Sequence, residues 1–215
     1  NFGIRFGKQK SIVSNISNHK DIVIGGSGSG QFVLREKESV GAFFGVVPLS
    51  SVNQQNSAGV RFIPEADAAN YEVVNGMVVN KTTKAVIFSN DQTKIGDPTP
   101  KFNMSFINNF TILKNFSAGF QVDWVYGNQI YNQTKQWLFR DWVHEDFDKP
   151  VNIGGENKAW ANYYNSLYFT NQTNSYFVED GSFVRLRDVS LAYNIPFSGK
   201  NFFRTAQFSV SGRNL

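Results

Sequence analysis

The chain has 215 residues, room for one large domain or two small ones. Aromatic residues make up 15% and charged residues only 18%, against roughly 25% in soluble domains, which excludes both a disordered tail and a long coiled coil. The net charge of +4 comes from scattered Lys and Arg with no basic stripe, so nucleic acid is not an expected partner, and the lack of cysteine excludes disulfide frameworks and thiolate metal sites.

The chain opens on an alternating run. Phe2, Ile4 and Phe6 stand against Asn1, Gly3, Arg5 and Gly7, which predicts a strand. Residues 14–100 form a long, uneven segment. It contains the Gly/Ser run Gly25–Gly30, read as a flexible stretch, and one or two strands near Gly41-Ala42-Phe43-Phe44-Gly45. Asp97-Pro98-Thr99-Pro100 then delivers the chain into the clearest pattern. Along Lys101–Ile112 the even positions are Phe102, Met104, Phe106, Asn108, Phe110 and Ile112, while the odd positions are nearly all polar. Period two means a strand with one apolar and one wet face. After the short connection Leu113-Lys114-Asn115, a second apolar face follows on Phe116, Ala118, Phe120, Val122, Trp124 and Tyr126. The two runs predict an antiparallel hairpin.

Residues 127–182 form the second long connection. From Phe183 to Tyr193 the alternation has a fault. Val184 and Leu186 are even and apolar, whereas Val189, Leu191 and Tyr193 are odd. A phase slip near Arg187-Asp188 is what a β-bulge produces. Turn residues are expected over Asn194-Ile195-Pro196 and Ser198–Asn201, and a last strand over Phe202, Ala206, Phe208 and Val210, with Arg204 snorkelling near the turn.

Strand length separates two fold classes. About 11 residues span ~36 Å, whereas soluble strands usually stop near 5–6 residues. Tilted by about 40°, such a strand covers the ~25 Å apolar band of an outer-membrane barrel, and Trp124 with Tyr126 at one strand end suits an interfacial girdle. The bland alternative is a long hairpin of a soluble sandwich. No window approaches the ~18 consecutive apolar residues of a spanning helix. Long connections at one edge and short ones at the other match the asymmetry of outer-membrane barrels, placing 14–100 and 127–182 outside. Both ends read as strand, so the expectation is a piece of a larger sheet, since four or five strands cannot close a barrel.

Several segments resemble one family. Ile95-Gly96-Asp97-Pro98-Thr99-Pro100-Lys101-Phe102 is similar to the "IG(D/N)PxPxF" segment of SusC/RagA-type TonB-dependent transporters, and Trp124-Val125-Tyr126-Gly127-Asn128-Gln129-Ile130-Tyr131-Asn132 to the "YGNxxYN" segment that follows it there. Phe177–Pro196 resembles the "EDGSFLRLRNVSLGYxLP" block, Ser209–Leu215 the "(Y)xSGxNL" strand, and Gly41–Gly45 the "GSFYG" segment, all in the family's order. An acidic "DxNGDG" stretch common in the family is missing, because Val79–Val86 carries Lys and Thr instead, so a calcium-like loop is not supported. The resemblance implies an all-β fold: a transmembrane antiparallel barrel of 22 strands with an internal plug, of which residues 1–215 would be the C-terminal portion, the plug lying outside this chain. It further implies outer-membrane import of oligosaccharides or oligopeptides, with TonB driving uptake through the plug and N-terminal segment, and a SusD-like surface lipoprotein over the loops. The bacterial outer membrane is the implied location and its lipid the implied surroundings. A structural barrel of the same family, within a secretion or surface-anchoring assembly and without transport, is the alternative. A soluble sugar-binding module is disfavoured by strand length.

No catalytic constellation, cofactor or metal site is expected. His144-Glu145-Asp146-Phe147-Asp148 gathers one His and three carboxylates on one loop and reads as solvated. The Gly/Ser run lacks the following GK[S/T] of a phosphate loop, and there is no GxSxG. The candidate substrate- or lid-contacting residues are Trp137, Trp142, Trp160 and Tyr164, among loop aromatics that include Phe139, Tyr163, Tyr168 and Phe169. Their alternative role is packing inside the loop, which needs a small core of its own. In the simple register Arg185, Arg187 and Asp123 fall on the wet face and are lumen candidates, with pairing to neighbouring carboxylates as the plainer role of the arginines.

Overall fold

The computed structural model describes residues 1–24, 32–168, 173–197 and 205–215. The Gly25–Gly30 run, Phe169, the Ser198–Asn201 turn, Phe202 and Arg204 lie outside the described residues. The strands in chain order are β1 (Phe2–Gly7), β2 (Ile22–Ile24), β3 (Phe32–Leu34), β4 (Phe43–Gly45), β5 (Tyr71–Val74), β6 (Met77–Asn80), β7 (Thr93–Gly96), β8 (Phe102–Ile112), β9 (Phe116–Tyr126), β10 (Gln129–Tyr131), β11 (Val151–Ile153), β12 (Glu156–Lys158), β13 (Val178–Asp180), β14 (Phe183–Pro196) and β15 (Thr205–Arg213). Two short helices, α1 (Gln133–Arg140) and α2 (Ala161–Leu167), complete the regular structure of the described residues, apart from three 3-10 turns. No helix among them is long and apolar enough to cross a membrane. The chain divides into two compact units: residues 1–10, 99–128 and 181–215 form one, residues 11–98 and 129–180 the other.

The first unit is one antiparallel sheet in the order β1-β8-β9-β14-β15. Its register aligns the apolar positions of all five strands. Phe6 faces Met104, which faces Trp124, which faces Val184. Further along, Val189 stands opposite Phe120, and Tyr193 opposite both Phe116 and Phe208. The expected phase slip is a bulge between Leu186 and Asp188, with Arg187 the extra residue. Without it the second half of β14 would present Ser190 and Ala192 to the apolar face. At one end of that face Phe6, Phe102, Trp124 and Tyr126 cluster, with centroid separations from 5.0 to 6.1 Å. The connection 113–115 is tight and runs through two left-handed residues, Leu113 and Lys114. β14 extends further than the turn chemistry suggested: Ile195 and Pro196 still pair with Ala206 and Thr205. Proline is tolerated there because a strand terminus has no further ladder bond for its missing N–H.

This sheet buries no core. Every buried hydrophobic residue of the described chain belongs to the second unit. On the sheet, Phe2, Val184 and Phe208 are each at least 67% exposed. A soluble sandwich would cover such a face.

The second unit has its own core. Phe139 of α1, Tyr163, Tyr164 and Leu167 of α2, Ile153 of β11 and Phe177 pack with Val79, Val86 and Phe88. A smaller cluster joins Leu49, Ile63 and Val78. Inside the uneven 14–100 segment the β5–β6 hairpin turns at Asn75-Gly76, both with positive φ, the strongest short hairpin signal a sequence offers. Its strands, of four residues each, are too short to display a period.

Candidate functional site

Two places collect the candidate residues. The first is the wet face of the five-stranded sheet. Arg185 is the register partner of Asp123, yet the ion pair belongs to Arg187, whose Nε lies 2.7 Å from Asp123 Oδ2. The bulge redirects Arg187 to the wet face, and Arg187 Nη1 also donates to Asn214 Oδ1 at 3.2 Å. Asp123 accepts further bonds from Gln121 Nε2 at 2.8 Å and from Ser105, its partner on β8. Arg185 stacks instead over Phe183, 5.2 Å from the ring centre. Arg213 Nε reaches Asp188 at 3.3 Å. A concavity of about 410 Å³ lies here, lined by Asn109, Gln121, Arg187, Asp188, Arg213 and Asn214. Its charges are internally matched, so it presents hydrogen-bonding groups without a net field.

The second place is α1 and its surroundings. Asn132 caps α1, its side chain accepting from the Lys135 N–H at 2.9 Å. The same asparagine donates to Glu179 at 3.0 Å, and Lys135 Nζ lies 3.2 Å from that carboxylate. The Asn132 hydrogen bond first, then Lys135, holds Glu179 below the usual carboxylate range. Burial pushes the Tyr131 hydroxyl up to about 12 and raises Tyr176 and Tyr164 as well.

The four aromatic candidates separate. Tyr164 is a core residue, 5% exposed, with its hydroxyl on the Lys149 carbonyl at 2.8 Å. Trp160 is half-buried, donates from Nε1 to the Val151 carbonyl at 2.9 Å, and has Lys84 and Lys158 over its ring. Trp137 and Trp142 remain at the surface, each 49% exposed. His144 and its acidic neighbours do local work. His144 Nδ1 accepts from the Asp146 N–H at 3.1 Å, and Asp146 pairs with Lys149. No group of three potential metal ligands occurs among the described residues.

Several of the segments that carry the resemblance meet in the second unit. A Cβ on Gly96 would lie 2.8 Å from the Phe43 ring, 2.9 Å from Val178 and 3.4 Å from Gln129 Oε1. Gln129 and Asp97 exchange bonds: the Asp97 N–H donates to Gln129 Oε1 at 3.0 Å, and the Gln129 N–H to the Asp97 carbonyl at 2.8 Å. β10 pairs with β13, so Gln129 stands opposite Asp180 and Tyr131 opposite Val178. Gly45 is equally constrained, because the Thr173 carbonyl oxygen lies 2.1 Å from where its Cβ would be. Within this unit the GAFFG, IGDP, QIY and VED segments therefore form one packed junction, and Gly45 and Gly96 are there because of close approach.

No family model matches the chain. Two curated proteins of Formosa agariphila are similar along almost all of it. TonB-dependent receptor P3 is 29% identical over 221 residues, covering 98% of this chain and 21% of the relative. TonB-dependent receptor P26 is 29% identical over 206 residues, covering 87% and 19%. The structure of the RagAB peptide transporter matches with a TM-score of 0.59 at 14% identity, over 99% of this chain and 22% of that one. The chain is thus similar to TonB-dependent receptors along almost its whole length, and it shares its fold with part of the RagAB transporter. The RagAB peptide importer in its open-open state matches similarly, with a TM-score of 0.55 at 15% identity over 100% of this chain. The fold of this chain is thus part of an all-β barrel. Its relatives are receptors and transporters rather than enzymes. The chain spans about a fifth of the length of the curated relatives it matches.

Proposed function

We propose that the whole protein imports nutrients across the bacterial outer membrane, driven by TonB and working with a SusD-like surface lipoprotein. Its cargo is an oligosaccharide or oligopeptide. In this reading the unit formed by 1–10, 99–128 and 181–215 is barrel wall, and the segments 14–100 and 127–182 are its extracellular loops. The apolar face meets lipid, and Asp123, Arg185 and Arg187 face the lumen. Energy coupling belongs to the plug and N-terminal segment, outside this chain.

The observation that carries the reading is the in-register apolar face across five strands that bury no core. A face of this size left to water would aggregate, whereas lipid satisfies it. The test is uptake. Cells carrying the full-length gene should accumulate a labelled oligosaccharide or oligopeptide, and should lose that uptake when TonB is deleted. Equal accumulation with and without the gene would overturn the reading.

A further inference from the structure

Charge is divided unevenly between the two units. Of the chain's 21 Lys and Arg, ten lie in residues 1–10, 99–128 and 181–215; of its 17 acidic residues only two do, Asp123 and Asp188. Both are taken on the wet face of the sheet, by Arg187 at 2.7 Å and Arg213 at 3.3 Å. The other cations of this unit have no acidic side chain of the same unit left to pair with. Three of them meet at one end of the sheet. Gly7, the last residue of β1, stands opposite Asn103, so Lys8 and Lys10 leave the sheet beside the point where Lys101 enters it. All three are exposed. This is the end at which Phe6, Phe102, Trp124 and Tyr126 cluster.

Lys101 is seated there by its surroundings. Its N–H donates to the Tyr126 carbonyl at 2.8 Å. Its stem lies across Gly127, where a Cβ would come within 2.7 Å of both Lys101 Cγ and Cδ. A side chain at position 127 would displace that stem. The Lys101 ammonium ends 5.7 Å from the centre of the Tyr126 ring, within the range of a cation–π contact. Tyr126 belongs to the apolar face, so the lysine brings its charge to the border of that face. A stem laid along the protein surface with its charge at an apolar border is the snorkelling arrangement. The "IG(D/N)PxPxF" pattern leaves position 101 open, so this lysine is no part of the resemblance.

We propose that Lys8, Lys10 and Lys101, at the border of the aromatic cluster, bind the phosphate groups of an outer-leaflet glycolipid of the lipid A type. The inference rests on the reading of this sheet as barrel wall with segments 14–100 and 127–182 outside. In that reading the aromatic end of the sheet lies at the outward-facing interface, where aromatic girdles sit. A lipid fits the place better than an anion free in solution. One lipid molecule offers acyl chains to the apolar face and phosphate to the cations at its border. An ammonium binds phosphate as a point charge. Each lysine near an anionic lipid surface adds about fivefold in affinity, and salt screens that attraction.

The test uses the full-length protein purified in detergent. Diphosphoryl lipid A is titrated and bound lipid is counted by native mass spectrometry, with dephosphorylated lipid A and phosphatidylcholine as uncharged-headgroup and zwitterionic controls. The phosphorylated lipid should bind at least about tenfold more tightly than either control, and added salt should narrow the gap. Lys8→Gln, Lys10→Gln and Lys101→Gln together should remove the preference while circular dichroism and unfolding temperature hold, because all three side chains are exposed. Lys114→Gln, in the turn at the opposite edge, should keep it. No preference for the phosphorylated lipid, an unchanged preference in the triple variant, or an equal loss from Lys114→Gln would overturn the proposal. Displacement of the lipid by inorganic phosphate at equal concentration would also overturn it, by assigning the site to a soluble anion. If the triple variant does not fold, the wild-type comparison of phosphorylated with dephosphorylated lipid A decides alone. A protein that stays in solution without detergent sinks the barrel-wall reading; one that needs detergent but ignores the phosphates sinks the headgroup site alone.

Discussion

Arg187 Nε lies 2.7 Å from Asp123 Oδ2, and it reaches that carboxylate because Arg187 is the extra residue of a bulge. The bulge therefore does two things at once. It restores the apolar phase of β14 from Val189 onward, and it supplies the cation that satisfies Asp123 on the other face.

Two alterations at this residue should differ sharply. Arg187→Ala keeps the bulge and leaves Asp123 its bonds from Gln121 and Ser105. The arginine side chain is 44% exposed, so the loss should be about 1 kcal/mol after screening by solvent. Deleting Arg187 removes the bulge and puts one half of β14 on the wrong face. Folding yield into lipid vesicles should fall several-fold for the deletion and little for the alanine variant; equal yields would show that the bulge does not set the register.

The assigned faces predict an asymmetry between neighbours. Phe120 lies on the apolar face between Asn108 and Val189, and Gln121 lies on the wet face. Phe120→Arg should cost ~2–4 kcal/mol if that face meets lipid at mid-depth. Gln121→Arg should cost much less. An unfolding titration in vesicles measures both, and equal costs would refute the membrane assignment of the faces.

The junction glycines should be intolerant of even a methyl group. For Gly96→Ala the added carbon would meet the Phe43 ring and Val178 at under 3 Å, side chains that can yield slightly, at a cost of about 1–3 kcal/mol. For Gly45→Ala it would meet backbone, the Thr173 carbonyl at 2.1 Å, which cannot yield without shifting a strand. Gly45→Ala should therefore be the more damaging. Protease accessibility of residues 11–98 and 129–180 reports the damage, and a Gly45→Ala protein as resistant as wild type would contradict this packing.

Glu179 should make the second unit acid-sensitive. Its folded-state pKa is depressed, by the Asn132 hydrogen bond first and Lys135 second. Above the ordinary glutamate value of about 4.3 the stabilisation is fully present, and it is lost as pH falls through the lower folded value. Hydrogen exchange at β10 and α1 should rise as pH falls below that window once the intrinsic rate is corrected for. Glu179→Gln should flatten this dependence, and an unchanged slope in that variant would assign the acid response to another group.

The sequence by itself determined the faces of the long strands, because period two follows from the geometry of an extended backbone and needs no tertiary partner. It determined the bulge to within a residue, since a phase slip in the alternation has few other causes. The tight turn at 113–115 and the one-sidedness of β1 were legible for the same local reason. Other features were decided only by the tertiary structure. β1 pairs with β8 across about a hundred residues, and β9 with β14 across the whole second connection; no local pattern encodes such partners. That Arg187 rather than Arg185 takes Asp123 depends on how the bulge turns one side chain. That Tyr164 is core while Trp142 is surface depends on which rings α1 and α2 bring together, and aromatic composition alone is the same for both. The roles of Gly45 and Gly96 likewise came from distant backbone and side chains closing on them. Alternation is a property of a strand taken alone, whereas burial and pairing are properties of what arrives against it.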